Sequence, residues 1–249
     1  MTKKSNYVLV HGAWHGAWCW DRVARKLIER GARVFIPTLR GLGERAGEIT
    51  PTPTLQDHVK DVIGMVACAA EYGPVVLVGH SYAGMLITAV GDRLGRSLSH
   101  LIYLDAAVPK DGDDFASHIP GLAPEDIARR RGVFTSMAVD GAWLPPPPAQ
   151  MVGVTAPDDV AWLSEKLTPH PLQTWLEPVS LTGGKLDEIP KTYVLAVDPP
   201  TTFMGYPLHG ENAKLTEGWS YAEIATGHDM MVTAPDEVVE VLLSVNRPV

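Results

Sequence analysis

Val75-Val76-Leu77-Val78-Gly79-His80-Ser81-Tyr82-Ala83-Gly84 is the stretch on which the reading of this chain turns. The Val75–Val78 run is apolar throughout, as a strand covered on both faces must be. A helix follows Ser81, so the serine stands at a sharp strand-to-helix turn. A side chain at such an apex is held clear of the backbone, and only small neighbours allow the turn; Gly79 and Ala83 are the small positions. Ser81 is therefore a candidate nucleophile, and the helix beyond it offers N–H groups to a developing negative charge. The plainer reading of the same residue is an N-cap serine in an ordinary turn.

The pattern repeats on either side. Tyr7–Val10 is a short apolar run that ends at His11-Gly12, and residues 20–30 have helical spacing before Gly31 and a strand over Ala32–Ile36. Leu55, Val59, Val62, Ile63 and Val66 recur at three- and four-residue steps up to about Tyr72, where Gly73-Pro74 breaks the helix. Leu101–Leu104 is another strand, ended by Asp105. After a long excursion come strands at Thr192–Val197 and Tyr221–Ile224 and a closing helix over Glu237–Val245. Apolar strands alternating with helices predict a mostly parallel sheet with helices on both faces. Residues 109–185 break the alternation: they are rich in Pro, Asp and Gly, contain Pro145-Pro146-Pro147-Pro148 as a stiff connector, and show only short helical patches such as 158–167. They read as a cap or lid inserted into a core made of residues 1–108 and 186–249.

Two further loops carry chemistry. His11-Gly12-Ala13-Trp14-His15-Gly16-Ala17-Trp18 follows the first strand, and its glycines let a backbone N–H approach a site; Ala13 is the candidate donor, with the amide of Tyr82 the second. His11 and His15 stand four apart but on a loop with no acidic ligand beside them. No metal is expected there, and the histidines read as braces of the loop. Ala225-Thr226-Gly227-His228-Asp229 lies just after the penultimate apolar strand and before the last helix, where a histidine suits the order nucleophile, acid, histidine.

Charge and composition narrow the field. With 21 basic against 29 acidic residues the net charge is −8, which excludes a phosphate-binding basic face; Arg129-Arg130-Arg131 reads as a solvated helix face. The 45% hydrophobic content over 249 residues is enough for one sizeable core. Two cysteines, Cys19 and Cys68, cannot make a disulfide framework and read as small core residues. The start, Met-Thr-Lys-Lys-Ser-Asn, runs straight into Tyr7–Val10, too short a run for a signal sequence or a membrane span, so a cytoplasmic protein is expected.

Together the His11–Trp20 loop, the Gly79–Gly84 turn, Leu101–Pro109, Leu167–Pro178 and Gly227–Pro235 resemble the α/β-hydrolase superfamily. The likeness is to its branch of plant methylesterases, hydroxynitrile lyases and small bacterial esterases. The resemblance implies an eight-stranded, mostly parallel sheet flanked by helices, with a helical cap inserted after the sixth strand and a cofactor-free site between cap and sheet. The lyases it resembles carry Thr where Gly12 stands and Lys where Asp229 follows the histidine. That lysine helps departing cyanide, which an aspartate cannot do, so ester hydrolysis is the expected activity.

The acid partner of His228 has two candidates. In the family it usually follows the strand equivalent to Thr192–Val197, where this chain has Asp198 one residue early and Pro199 in the expected place. Asp105 ends the strand after the Ser81 helix, a position used by haloalkane dehalogenases, and is favoured over Asp198. Trp14, Tyr82, Trp143, Trp175 and Phe203 are candidate walls of a hydrophobic pocket for a small ester, each with an equal claim to be core. Expected partners are a small-molecule ester, no nucleic acid and no membrane, with a homodimer left open. The alternatives to an esterase are a hydroxynitrile-type lyase on the same scaffold and a weakly hydrolytic ligand receptor.

Overall fold

A computed structural model describes residues 6–181 and 183–245. In chain order the elements begin with strand β1 (Asn6–Val10), helix α1 (Asp21–Glu29), β2 (Arg33–Phe35), α2 (Leu55–Ala70), β3 (Val75–His80), α3 (Ala83–Leu94) and β4 (Leu98–Leu104). The excursion then carries α4 (Pro124–Met137), β5 (Trp143–Leu144), α5 (Pro157–Lys166), β6 (His170–Pro171) and α6 (Gln173–Leu176). The chain returns through β7 (Lys191–Ala196), α7 (Tyr206–Leu215), β8 (Trp219–Ile224), α8 (Met230–Thr233) and α9 (Pro235–Ser244).

The main sheet runs β2-β1-β3-β4-β7-β8, every pair parallel. Among the described residues it has six strands, not the eight the resemblance implied, and the excursion leaves after the fourth of them rather than the sixth. Among the described residues the chain enters the sheet at Asn6–Val10, an interior strand paired in parallel with β2 and β3, and β2 and β8 form the edges. Alternation along β1 shows both faces covered. Val8 and Val10 pack with α2 and α3 residues such as Val59 and Leu86, while Tyr7 and Leu9 join Leu27 of α1 and Val238 of α9 on the opposite face. Helix α2 starts where Thr54 and Asp57 form a reciprocal capping box, and stops before Gly73, whose φ of +129° few other residues tolerate.

Helix α4 is longer than the sequence patches suggested. It buries only Phe134, so its apolar stripe is too thin to register as a helical period. Its arginines are not simply solvated: Arg130 Nε donates to the Ala116 carbonyl at 2.9 Å and Arg131 Nε to Asp114 at 2.5 Å. Cys19 is core, but Cys68 is exposed on α2, contrary to expectation, because it falls between the buried positions Val66 and Ala69 on the outer face. No helix among the described residues is long and apolar enough to cross a membrane.

Candidate active site

Parallel strands deliver their C-terminal ends to one edge of the sheet, and three of those ends meet here. Ser81 follows β3 in the left-handed region, φ 57°, a conformation costing a non-glycine residue on the order of 1–3 kcal/mol. Backbone contacts hold it: Ser81 N–H donates to the Leu104 carbonyl at 3.2 Å, and its own carbonyl accepts from Gly84 and Ala107 at 3.1 Å each. The turn demands small residues, as expected, but the tightest place is Gly84. A Cβ there would lie 1.9 Å from the Ala107 carbonyl oxygen, whereas at Gly79 it would sit 2.9 Å from Ile87 Cγ2 and 3.0 Å from the Ala83 carbonyl oxygen.

Asp105 follows β4, also at positive φ (42°), and is fully buried. Its Oδ2 is 2.6 Å from His228 Nδ1, and its Oδ1 accepts from the Ala196 N–H at 3.3 Å. Burial pushes its carboxyl above the ordinary range, opposed by the hydrogen bond and charge of His228. Asp198 lies elsewhere. It is exposed, beyond the end of β7, and its N–H donates to the Thr226 carbonyl at 3.1 Å. The structure thus brings Asp105, not Asp198, to the histidine.

His228 stands on the loop after β8. Gly227 is pressed against Gly153: a Cβ on either glycine would come within 2.5 Å of the other's Cα. Asp229 N–H donates to Val152 at 3.1 Å, so the histidine loop is docked on the 150s segment. Asp229 itself is paired with His15, Oδ2 to Nε2 at 3.1 Å, and its Oδ1 lies 3.8 Å from His80 Nε2. His15 Nδ1 lies 2.7 Å from the Ala13 carbonyl, so both ring nitrogens face pure acceptors and both must carry protons. Burial works against the charge on each partner but is outweighed: Asp229 raises His15, and His15 lowers Asp229. His80 adds a bond to the His228 carbonyl at 3.0 Å, and burial holds it well below its usual value. His80, His228 and Asp229 bring ligand atoms within 4.8 Å of one another, but His228 Nδ1 and Asp229 Oδ2 are already engaged with Asp105 and His15.

The His11–Trp18 loop abuts the serine. A Cβ on Gly12 would sit 2.9 Å from both Ser81 Cβ and His80 Nδ1, so only glycine brings the Gly12–Ala13 peptide this close. His11 Nδ1 donates to the Gly12 carbonyl at 2.8 Å and its Nε2 accepts from Leu39 N–H at 3.1 Å; burial lowers its pKa to about 3 and keeps it neutral. The N–H groups of Ala13 and Tyr82 donate to no other described residue. The side chain of Ser81 is bonded to Tyr206, Oγ to phenol oxygen at 3.1 Å, and the Tyr206 ring lies parallel to His228 (5.0 Å, 6°).

These groups open on a cavity of about 550 Å³ lined by Ala13, Ser81, Tyr206 and His228 below and by α4 and Pro145–Pro148 above. Of the aromatic candidates, Trp14 and Trp175 are on its wall. Tyr82 is not: its side chain is buried beneath, donating from its hydroxyl to His58 Nδ1 at 3.1 Å. Trp143, in the small β5–β6 ribbon, is also off the lining, and the side chain of Phe203 lies outside the described residues. Sequence reasoning missed Phe115, Phe134, Met204 and Tyr206, which line the cavity from segments with no spacing relation to Ser81.

A serine at a sharp turn between parallel strand and helix, with a carboxylate and a histidine delivered from the ends of two other strands of the same sheet, is the arrangement of an α/β hydrolase. The sequence model of the alpha/beta hydrolase family matches residues 7–241, and the chain belongs to that family. It is 39% identical, over 96% of its own length and 98% of the relative's, to a protein of Nocardioides sp. (strain SG-4G) named carbendazim hydrolyzing esterase. A putative chloroplastic methylesterase of Arabidopsis thaliana is 29% identical over 77% of this chain and 58% of that one. Among solved structures, an extracellular α/β-hydrolase from a Paenibacillus species superposes with a TM-score of 0.80 at 21% identity, covering 98% and 99% of the two chains.

Proposed function

We propose that the protein hydrolyses small hydrophobic carboxylic esters through an acyl-enzyme on Ser81, with residues 109–185 as a cap over the site and the cytoplasm as its compartment. The observation that carries the reading is the 2.6 Å contact between His228 Nδ1 and buried Asp105 at the mouth of the Ser81 turn. With Nδ1–H given to the carboxylate, Nε2 is left bare to accept a proton. Ser81 Oγ, 3.1 Å from the Tyr206 hydroxyl, turns its proton towards His228 Nε2 as substrate enters; such bonds commonly tighten only in the loaded complex. Oγ attacks the ester carbonyl, His228 takes its proton, and the uncommitted N–H groups of Ala13 and Tyr82 receive the oxyanion. The imidazolium then protonates the leaving alcohol, and water clears the acyl group by the same route.

The apolar cavity wall supports a hydrophobic ester, and the esterase name of the 39%-identical relative points the same way. The lyase alternative lacks its cation: Asp229 follows His228 and is spent on His15. The test is turnover of short p-nitrophenyl esters by the wild type and by Ser81→Ala. Hydrolysis by the first and none by the second supports the reading. Cyanohydrin cleavage without ester hydrolysis overturns it in favour of a lyase, and undiminished hydrolysis by Ser81→Ala removes Ser81 from the chemistry.

A further inference from the structure

The nucleophile's hydrogen-bond partner in this structure is a phenol on a different element. Tyr206 opens α7, and the turn that aims it inward depends on Gly205 at φ +72°, where a Cβ would come 2.5 Å from Ile119 Cγ2. From below, the Tyr193 hydroxyl on β7 shares its one proton between the Tyr206 carbonyl at 3.1 Å and the Ala106 carbonyl at 3.0 Å. One phenol therefore ties the start of α7 to the segment just after Asp105. The Tyr206 ring is 1% exposed and parallel to the imidazole of His228, and its hydroxyl stands 3.1 Å from Ser81 Oγ. Burial pushes its phenol above the usual tyrosine range, with the Ser81 bond opposing, so it stays a neutral donor.

The direction of the Tyr206–Ser81 bond follows from proton bookkeeping at the site. His228 gives its Nδ1 proton to Asp105, leaving Nε2 as the acceptor that the Ser81 proton must reach; in the acyl-enzyme Oγ carries no proton, so across the 3.1 Å contact Tyr206 is the donor and Oγ the acceptor. We propose that Tyr206 is a further catalytic residue, whose phenol donates a hydrogen bond to Ser81 Oγ as that oxygen leaves the acyl carbon. The inference rests on the acyl-enzyme reading above. In deacylation water adds to the acyl carbon while His228 takes one of its protons. The C–Oγ bond then breaks, its electron pair goes to Oγ, and the imidazolium returns the proton there, releasing a carboxylic acid and free Ser81. Tyr206 keeps its own proton throughout and stabilises the charge that gathers on Oγ. During acylation the same bond gives no such help, since Oγ is then spending its electron pair on the carbonyl carbon.

Tyr206→Phe removes the hydroxyl and keeps the ring. With p-nitrophenyl acetate in stopped flow, the nitrophenolate burst reports acylation and the steady phase reports deacylation. The expected result is a burst at close to the wild-type rate and a steady rate lower by roughly 10- to 100-fold, below the loss of about 10²–10³ for a full oxyanion donor. Acetylated Ser81 should then accumulate in intact-mass spectra of the quenched variant; incomplete folding would reduce burst amplitude without mimicking this split between rates. A steady rate equal to wild type, or both phases slowed alike, overturns the proposal. Wild-type protein run alongside separates the two claims. Turnover there with an unchanged Tyr206→Phe removes only the role of Tyr206, whereas no acylation of Ser81 in the wild type overturns the esterase reading as well.

Discussion

Asp105→Asn changes one atom, and the surroundings dictate how the new amide must sit. Oδ1 accepts from the Ala196 N–H at 3.3 Å and Oδ2 meets His228 Nδ1 at 2.6 Å. If the amide oxygen kept its place at Nδ1, the NH2 would face the Ala196 N–H, donor against donor. The backbone donor therefore selects the flipped arrangement, with NH2 towards Nδ1. That forces the imidazole proton onto Nε2, the atom that must accept from Ser81, and the base is lost. The cost of such a tautomer change is up to about 10⁴ in kcat, or roughly 5.5 kcal/mol at 1.36 kcal/mol per tenfold. The fold should hold, because the substitution conserves volume and removes a buried charge that the site had to accommodate. The assay is kcat for a p-nitrophenyl ester between pH 7 and 9, with urea midpoints as the control and Asp198→Asn alongside. Asp198 is exposed and His228 Nδ1 is bonded to Asp105 instead, so its variant should stay within about twofold of wild type, as surface changes usually do. An Asp105→Asn enzyme keeping a tenth or more of its kcat, or a larger loss for Asp198→Asn, refutes the tautomer argument.

Three other perturbations have signed outcomes. The His15–Asp229 pair is buried, with His15 raised above 6.5 and Asp229 lowered below 3.8, in each case against burial, the largest single influence. The His15 contribution is full below pH 6.5 and fades as pH rises through its raised folded value; that of Asp229 is full above pH 3.8 and fades as pH falls through its lowered one. Asp229→Asn should accordingly cost on the order of 3 kcal/mol near pH 6 and progressively less in alkaline solution, read from urea unfolding at each pH; a pH-independent loss contradicts the ion pair. Gly84→Ala should destabilise by about 3 kcal/mol, the upper end of ordinary overpacking, since its Cβ would meet backbone at 1.9 Å; a urea midpoint equal to wild type contradicts the packing at the turn. Gly12→Ala should lower the urea midpoint less than Gly84→Ala does and depress kcat by displacing the loop, because its Cβ would meet Ser81 Cβ and His80 Nδ1 at 2.9 Å; unchanged kcat would show that the loop can shift without consequence.

How legible each part was depends on the range of the physics that fixes it. The Ser81 turn was readable because a strand covered on both faces must be apolar and a sharp turn must be small, both local demands. Asp105 was readable as a carboxylate at a strand end, where parallel strands converge on one edge. Tyr206 was not. It sits at a Gly-Tyr-Pro helix start, and its contact with Ser81 spans 125 residues, so no periodicity links them. The Gly205-Tyr206-Pro207 junction was the only local hint, since it marks a turn that must aim something. Helix α4 was obscured for the opposite reason: one buried Phe134 among charged residues leaves no stripe to detect. Tyr82 was assigned to the pocket from its neighbour's role, but a side chain that begins a helix under the cavity packs downward onto His58. The two missing strands came from the resemblance, not from any apolar run in this chain.

The central claim is that Ser81 is the nucleophile of an ester hydrolase, and titration with a serine-directed aryl phosphonate tests it most directly. Residual p-nitrophenyl esterase activity should fall linearly with reagent to zero at one phosphonyl group per chain, and peptide mapping should place that group on Ser81. Label on another residue, or full activity retained with Ser81 stoichiometrically phosphonylated, would contradict it.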